Sequence, residues 1–251
     1  MTAAVVLAAG FGTRLGPTTG AVPKPLLHVG GSAVATHLMR ALGTLPSIDE
    51  VVVVINGRHP DEFERWRAGL GDLSHPRLVN TGARSVEERR GAVADLRAAM
   101  ASFAAPADRW LVVAGDNLVH ANDIRALDLQ GEAGHDAVLC RDVGLDPTGS
   151  FGELTLDDDR RIVTFREKPA DRTSPIAATC TYALSAHAPA LLDTYLDEGR
   201  DCDSTGRFIA WLCARRPVYG LRLTEPYHDI GTPETLAAAR LAFDSAQDAA
   251  P

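Results

Sequence analysis

A glycine-containing loop follows the first apolar segment of the chain. Gly10 and Gly12 lie in this loop, Arg14 stands just behind it, and Lys24 comes later between two prolines. Glycine tolerates positive φ and lets a ligand approach the backbone N–H groups, which suits phosphate oxygens. Two cations beside such a loop would offset the charge of a triphosphate. The pattern predicts a phosphate-binding loop, and the alternative is an ordinary β–α connection with surface charges.

The two commonest phosphate-binding motifs do not match this loop. A dinucleotide-binding fold would need a third glycine where the chain has Leu15, and an acidic residue after the second strand, where it has Asn56. A P-loop would need widely spaced glycines followed by Lys-Ser or Lys-Thr, which do not occur here. Both of these nucleotide-binding classes are therefore disfavoured.

Lysine is rare in the chain. Lys24 and Lys168 are the only two among 25 basic residues, and the rest are arginine. The simplest explanation is a genome that favours arginine codons. However, an ammonium and a guanidinium are not equivalent at a tight site. Lys168 lies in Glu167-Lys168-Pro169, which alone would be typical of a surface turn.

Composition excludes several functional classes. The 251 residues are 45% hydrophobic and 23% charged, as in an ordinary globular protein with a substantial core. A net charge of −8 without a basic cluster argues against a nucleic-acid partner. No apolar run approaches the roughly 20 residues of a membrane span, so we expect no membrane association. Four cysteines without CxxC spacing predict reduced thiols and a cytoplasmic location.

Apolar runs with strand character alternate with helical patterns along the chain. The predicted strands are Ala3–Leu7, Val51–Ile55, Arg77–Asn80, Trp110–Ala114, Ala137–Arg141, Phe151–Leu156, Arg161–Arg166, Ala178–Leu184 and Val218–Leu223. The predicted helices include Ser32–Leu42, Pro60–Ala68, one opened by a Ser85-x-x-Glu88 capping box, Asn122–Leu129, and one that begins at Pro233 after an N-cap at Thr232. This order predicts an α/β fold with a mixed, mainly parallel sheet flanked by helices and a small β-rich insertion.

Five motifs together resemble the sugar-1-phosphate nucleotidyltransferases (NDP-sugar pyrophosphorylases), and the glucose-1-phosphate thymidylyltransferase-like members in particular. The first comprises Gly10-Phe11-Gly12-Thr13-Arg14, Pro17 and Pro23-Lys24-Pro25. The others are Gly115-Asp116-Asn117, Phe151-Gly152, Glu167-Lys168-Pro169 and Asp229-Ile230-Gly231-Thr232-Pro233. The resemblance covers nearly the whole chain. It implies one Rossmann-like (GT-A-like) domain over 1–251, with 1–130 mainly binding nucleotide and 131–251 mainly binding sugar phosphate.

The resemblance also implies a reaction. An oxygen of a sugar-1-phosphate attacks the α-phosphorus of an NTP and pyrophosphate leaves, so positioning and charge neutralisation carry the catalysis. Arg14, Lys24 and Asp116 are the implied catalytic residues: Arg14 holds the pyrophosphate and Lys24 stabilises charge on the reacting phosphates. Asp116 and Asp229 are implied to hold Mg²⁺, which prefers hard oxygen ligands.

The remaining implied site residues contact one of the two substrates. The nucleotide-binding set is Leu7, Ala8, Ala9, Gly10, Gly12, Thr13, Arg14, Lys24, Gly82, Ser85 and Asp116. The sugar-phosphate-binding set is Asn117, Gly152, Glu167, Lys168 and Tyr182, so that each lysine falls on a phosphate site. Some assignments stay open: the capping box already explains Ser85, Tyr182 could be a half-buried strand residue, and Asp203 could be a helix N-cap or a sugar ligand.

The base and the acceptor also stay open. Ala8-Ala9-Gly10 is more typical of cytidylyl and uridylyl relatives than of thymidylyl and guanylyl ones. The acceptor could be a cyclitol-1-phosphate. The alternatives are a cytidylyltransferase acting on an alcohol phosphate such as phosphocholine, and a catalytically silent nucleotide-binding paralogue. Dimers and tetramers are common in such families, so a homo-oligomer is compatible with the resemblance.

Overall fold

The computed structural model describes residues 1–13, 15, 22–73, 75–145 and 151–248, with side chains described as far as residue 244. Its strands are β1 (Thr2–Ala8), β2 (His28–Val29), β3 (Ser32–Ala33), β4 (Ile48–Ile55), β5 (Arg77–Asn80), β6 (Arg109–Ala114), β7 (Asn117–Leu118), β8 (Asp136–Asp142), β9 (Glu153–Leu156), β10 (Ile162–Arg166), β11 (Ile176–Ser185), β12 (Val218–Arg222) and β13 (His228–Asp229). Its helices are α1 (Val34–Gly43), α2 (Pro60–Ala68), α3 (Ala92–Ala101), α4 (Ala121–Glu132), α5 (Ala188–Asp197), α6 (Thr205–Cys213) and α7 (Pro233–Asp248), and a 3₁₀ turn spans Lys24–Leu26.

A mixed sheet lies at the centre of the described structure. Its main path runs β10-β9-β11-β6-β1-β4-β5, and β8 joins β11 to β12. β6, β1, β4 and β5 are parallel, so their carboxyl ends meet at one edge. β11 runs antiparallel to β6 and connects this parallel part to the β9–β10 hairpin. The predicted α/β class and the β-rich insertion are confirmed.

The continuous apolar strands are buried because side chains alternate between two cores. On one face Val5, Val52 and Val112 pack with residues of α3, α5 and α6. On the other face Val6 and Val53 pack with residues of α1, α2 and α4. None of the described helices combines the length and apolar character that crossing a bilayer requires.

Two expectations about helix starts have different outcomes. Thr232 is confirmed as a cap, since the Thr235 N–H donates to Thr232 Oγ1 at 3.3 Å. The capping box is wrong: α3 begins at Ala92 behind Gly91, and Ser85 lies in the preceding turn. Ser85 and Glu88 instead close that turn, where the Glu88 N–H donates to the Ser85 carbonyl.

Candidate functional site

The glycine loop starts where β1 ends, and its backbone is held by one buried side chain. Asn56 follows the neighbouring strand β4, and its amide donates to the Ala9 carbonyl at 3.1 Å and to the Gly10 carbonyl at 3.4 Å. Asn56 occupies the position where a dinucleotide-binding fold would place an acid, and here it holds the backbone of the loop. An added Cβ on Gly10 would meet no atom within 4 Å, so the loop faces open space there.

Lys24 lies under the loop, in a turn with restricted conformations. Prolines on both sides fix φ, and the Leu27 N–H closes the turn on the Lys24 carbonyl. The side chain is buried, and its ammonium donates to Asp116 Oδ2 at 3.3 Å and to the Gly231 carbonyl at 3.4 Å. Gly12 has φ +65°, and an added Cβ would lie 3.3 Å from Lys24 Cγ. Gly12 thus makes room for the lysine rather than forming the cavity wall.

Backbone contacts bring the two predicted metal-binding aspartates to the same place. The Gly115 N–H donates to the Leu7 carbonyl at 2.8 Å, which sets Asp116 beside the glycine loop. β13 then pairs with β7, with Asp229 opposite Asn117, and the Ile230 N–H donates to the Asp116 carbonyl at 2.9 Å. Residues far apart in sequence therefore meet beyond the carboxyl edge of the parallel strands.

A buried carboxylate supports the opposite wall of the site. Glu153 of β9 accepts from Arg166 Nε at 2.9 Å and from the backbone N–H and hydroxyl of Thr173 at 2.7 and 3.0 Å. Burial alone would raise the pKa of this carboxyl, but the hydrogen bonds from Thr173, Ser174 and Arg166 outweigh it and lower the pKa to about 2. Because Arg166 directly precedes Glu167 and Lys168, this network fixes the segment that carries them.

Glu167 lies against the first turn of α6. Its Oε1 accepts from the Ser204 hydroxyl at 2.6 Å, and an added Cβ on Gly206 would lie 1.9 Å from its Oε2. Gly152 is equally confined, since its Cβ would approach Phe165 at 2.8 Å and Glu167 Oε2 at 3.2 Å. Lys168, half-exposed, has φ +45°, an unfavourable conformation that costs roughly 1–2 kcal/mol for a non-glycine residue.

These elements enclose two adjoining chambers. The large chamber has a volume of about 610 Å³ and the small chamber about 230 Å³. The predicted residues that line the large chamber are Leu7, Ala8, Ala9, Gly10, Thr13, Lys24, Asp116, Glu167 and Lys168. Those that line the small chamber are Asp116, Asn117, Gly152, Glu167, Lys168, Tyr182 and Asp229. Asp116, Glu167 and Lys168 line both, so the chambers meet at these side chains.

Not every predicted site residue is found in a chamber wall of the described structure. Arg14, like Pro17, falls outside the described residues. Gly12 backs Lys24, and neither Gly82 nor Ser85 lines a chamber. Gly82 has φ +81° and its carbonyl packs against Gly57, so its glycine identity has a local structural reason.

Sequence reasoning missed several lining residues. Gly91 and Arg207 line the large chamber, and Thr205 and Phe165 line the small one. The run Ser204-Thr205-Gly206 carried a usable signal, because Ser204 is the N-cap of α6. Asp203, which the sequence left open as a cap or a sugar ligand, is not the cap and forms an ion pair with Arg89. Arg207 has no local sequence signal, since only the packing of α6 brings it to the chamber.

Two groups that line the small chamber stay protonated. Burial raises the pKa of the Cys180 thiol to about 11, so the cysteine is a poor nucleophile at neutral pH. Burial also raises the pKa of Tyr182 well above its usual value, and its hydroxyl hydrogen-bonds to Thr205 Oγ1 at 3.1 Å. Covalent catalysis by Cys180 is therefore disfavoured.

The donor set fits Mg²⁺ rather than a soft metal. Asp116 and Asp229 both line the small chamber and offer carboxylate oxygens. No cluster of three or more His, Cys, Asp or Glu side chains suited to a metal occurs among the described residues. Mg²⁺ is commonly held by one or two carboxylates together with substrate phosphates and water. The two aspartates therefore match the needs of this ion.

Comparison with known proteins identifies the family of the chain. Residues 3–245 match the family model described as nucleotidyl transferase, and the chain belongs to this family. It is 25% identical over 247 residues to a UTP–glucose-1-phosphate uridylyltransferase of Synechocystis, covering 91% of this chain and 60% of that protein. The chain thus spans about three fifths of that relative's length.

Two further similarities concern a shorter segment and the fold. A 2-C-methyl-D-erythritol 4-phosphate cytidylyltransferase of Thermobifida fusca is 44% identical over 91 residues, covering 36% of this chain and 35% of that protein. A crystal structure of UDP-glucose pyrophosphorylase with UDP-glucose superposes with a TM-score of 0.83 at 15% identity, covering 98% of this chain and 99% of that one. This second likeness confirms the Rossmann-like nucleotidyltransferase fold.

Proposed function

We propose that the protein is a Mg²⁺-dependent nucleotidyltransferase that uses an NTP and a sugar-1-phosphate or cyclitol-1-phosphate and releases pyrophosphate. An oxygen of the acceptor phosphate forms a bond to the α-phosphorus, and the bond from that phosphorus to the bridging oxygen of the β-phosphate breaks. Pyrophosphate departs with the electron pair. The observation that carries the proposal is the ion pair between the buried Lys24 of the large chamber and the partly buried Asp116, which lines both chambers.

The large chamber suits the NTP. Its volume lies within the range of small-molecule sites, and the glycine loop lines it. Lys24 has three N–H donors, and Asp116 and the Gly231 carbonyl accept from it in the described structure. At least one donor is left for a phosphate oxygen, and the buried position strengthens that interaction. Arg14 is proposed to hold the pyrophosphate.

The small chamber suits the acceptor. Glu167 can accept hydrogen bonds from ring hydroxyls, and Lys168 can bind the acceptor phosphate, since both line each chamber. Gly152 allows a ring to approach the backbone, and Asn117 and Tyr182 complete the wall. This arrangement directs the acceptor phosphate toward Asp116, where the two substrates must meet.

Asp116 and Asp229 would hold the Mg²⁺ ion. When bound, the ion neutralises phosphate oxygens and so lowers the repulsion between the two anionic substrates. Asp116 also accepts from Lys24, which keeps its carboxylate beside the place of reaction. We further propose a cytoplasmic location, supported by the four cysteines, all of which are free.

The test is a matrix of NTPs and acceptors. Five NTPs are combined with several hexose-1-phosphates and a cyclitol-1-phosphate, with Mg²⁺ or with EDTA, and pyrophosphate release is measured. We expect release with at least one sugar-1-phosphate or cyclitol-1-phosphate and its loss in EDTA. Nucleotide binding without turnover on any acceptor would instead indicate a silent paralogue.

A second candidate is a cytidylyltransferase that acts on an alcohol phosphate. The 44% identity to the Thermobifida enzyme over 91 residues favours it, as does the loop Ala8-Ala9-Gly10. Against it stands Glu167-Lys168-Pro169, which suits a sugar phosphate. CTP with phosphocholine or with methylerythritol phosphate belongs in the same matrix, and turnover of these alone would replace the first proposal.

A further inference from the structure

The start of α3 is capped by a distant part of the chain. α3 has no side-chain N-cap, and the Val93 N–H donates to the Cys202 carbonyl at 2.9 Å. The first N–H groups of a helix have no partner within the helix. A carbonyl from the loop before α6 therefore satisfies one of them.

Only glycine permits this approach at position 91. Gly91 has φ +92°, and an added Cβ would lie 2.4 Å from the Cys202 carbonyl oxygen and 2.6 Å from its carbonyl carbon. The Cys202 thiol in turn donates to the Arg90 carbonyl at 2.9 Å. The two backbones are thus in direct contact at Gly91, and the Cys202 side chain adds a second bond beside it.

An ion pair extends this contact along the wall of the large chamber. Arg89 donates to Asp203 Oδ2 at 2.9 Å, and both side chains line the large chamber. Asp203 also lines the small chamber. We use the name clasp for Arg89, Gly91 and Val93 together with Cys202 and Asp203.

A second ion pair offers a comparison away from the chambers. Arg97 of α3 binds Asp193 of α5 at 2.5 and 2.8 Å. This pair also joins α3 to the later part of the chain, but neither residue lines a chamber. It therefore serves as a comparison outside the chambers.

We propose that the clasp fixes the position of the two chambers relative to each other, and that Arg89, Gly91 and Asp203 are positioning residues for the transfer. This rests on the nucleotidyl transfer proposed above. The attacking oxygen must reach about 3–3.5 Å from the phosphorus, and small misplacements are costly. Since residues of α3 and of the loop before α6 line both chambers, loosening either partner disturbs both substrates.

Steady-state kinetics of a double-mutant cycle test this coupling. Arg89→Ala and Asp203→Ala should each raise the KM for the NTP and for the acceptor about two- to five-fold, the range expected for a half-exposed pair. The double variant should be no worse than either single one, and the exchanged pair R89D/D203R should recover part of the loss. Arg97→Ala should lower Tm with both KM values unchanged. Additive losses, or effects confined to one substrate for each variant, would overturn the proposal.

Amide hydrogen exchange tests the clasp independently of activity. The Val93 amide should exchange more slowly than the Ala92 amide in the wild-type protein. It should exchange several-fold faster in R89A and D203A, but not in R97A. An unprotected Val93 amide in the wild type refutes the clasp whatever the activity, whereas a protected amide in a protein without turnover refutes the proposed function alone.

Discussion

The two walls of the site are built in different ways. On the loop side, parallel strands place the glycine loop and Asp116, and Asn56 is the described side chain that bonds the loop backbone. On the hairpin side, Glu167 depends on the Glu153 network and on close packing against Gly206. Backbone register therefore fixes the first wall, whereas a small number of side chains fixes the second. Substitutions on the loop side should therefore affect the NTP, and substitutions on the hairpin side should affect the acceptor.

Asp116 lines both chambers, and its loss should have the largest effect. Asp116→Asn removes a charge next to Lys24 and an oxygen ligand for Mg²⁺, so we expect kcat to fall about a thousand-fold, as when a main electrostatic group is removed. Pyrophosphate release measures the effect, and Tm should change little. Asp159→Asn, in an exposed turn, is the control. Near-normal release by the Asp116 variant would refute the assignment.

Glu153→Gln should have the second-largest effect, a loss of stability on the hairpin side. The variant loses charge-assisted bonds at a buried site, so the free energy of unfolding should fall by about 2 kcal/mol at neutral pH. Because folding lowers the pKa of Glu153 to about 2, its contribution is full above the unfolded value near 4.5 and vanishes as the pH falls toward 2. Denaturant unfolding should show the wild-type and variant stabilities converging over this window. A constant difference down to pH 2 would contradict the network.

Gly206→Ala should displace Glu167 without changing any charge. The added Cβ would overlap Glu167 Oε2, so the carboxylate must move. We expect the acceptor KM to rise about ten-fold and the NTP KM to stay constant. Gly43→Ala, where a Cβ would meet nothing within 4 Å, is the control. A rise in the NTP KM instead would contradict the expectation that the hairpin side affects only the acceptor.

Asn56→Ala should have the smallest effect, on the loop side. The variant removes the donor to the Ala9 and Gly10 carbonyls, but strand register still holds the loop ends. We therefore expect the NTP KM to rise about three-fold, as for the loss of one modest hydrogen bond, with an unchanged acceptor KM. A loss as large as that of Asp116→Asn would show that a side chain, not the backbone, fixes this wall.

The sequence predicted the central strands and the starts of α2 and α7, but it missed the start of α3. β4 and β6 could be recognised because continuous apolar runs are required where both faces are buried. The start of α3 was missed because its cap is the carbonyl of Cys202, which is distant in sequence and therefore leaves no local pattern. The antiparallel position of β11 beside β6 likewise depends on the whole topology.

For the candidate site, motifs identified residues whose backbone geometry is special. The glycine loop, Lys24 between prolines and Asp116 after a strand all have local signatures, and they line one chamber. Gly91 and Arg207 were missed because long-range packing alone brings them there. Gly82 and Ser85 were predicted as nucleotide-binding residues only because relatives contact the base in this region of the chain. In the structure Gly82 packs against Gly57, and Ser85 belongs to a local turn.

The scarcity of lysine also offers a chemical handle on the protein. Lys24 is buried beneath Gly12, whereas the Lys168 side chain is 55% exposed at the meeting of the two chambers. Apart from the α-amino group, an amine-reactive reagent therefore has a single accessible target, and that target lies where the acceptor phosphate is proposed to bind. One label per chain, attached selectively and blocked by ligand, would report directly on occupancy of this chamber.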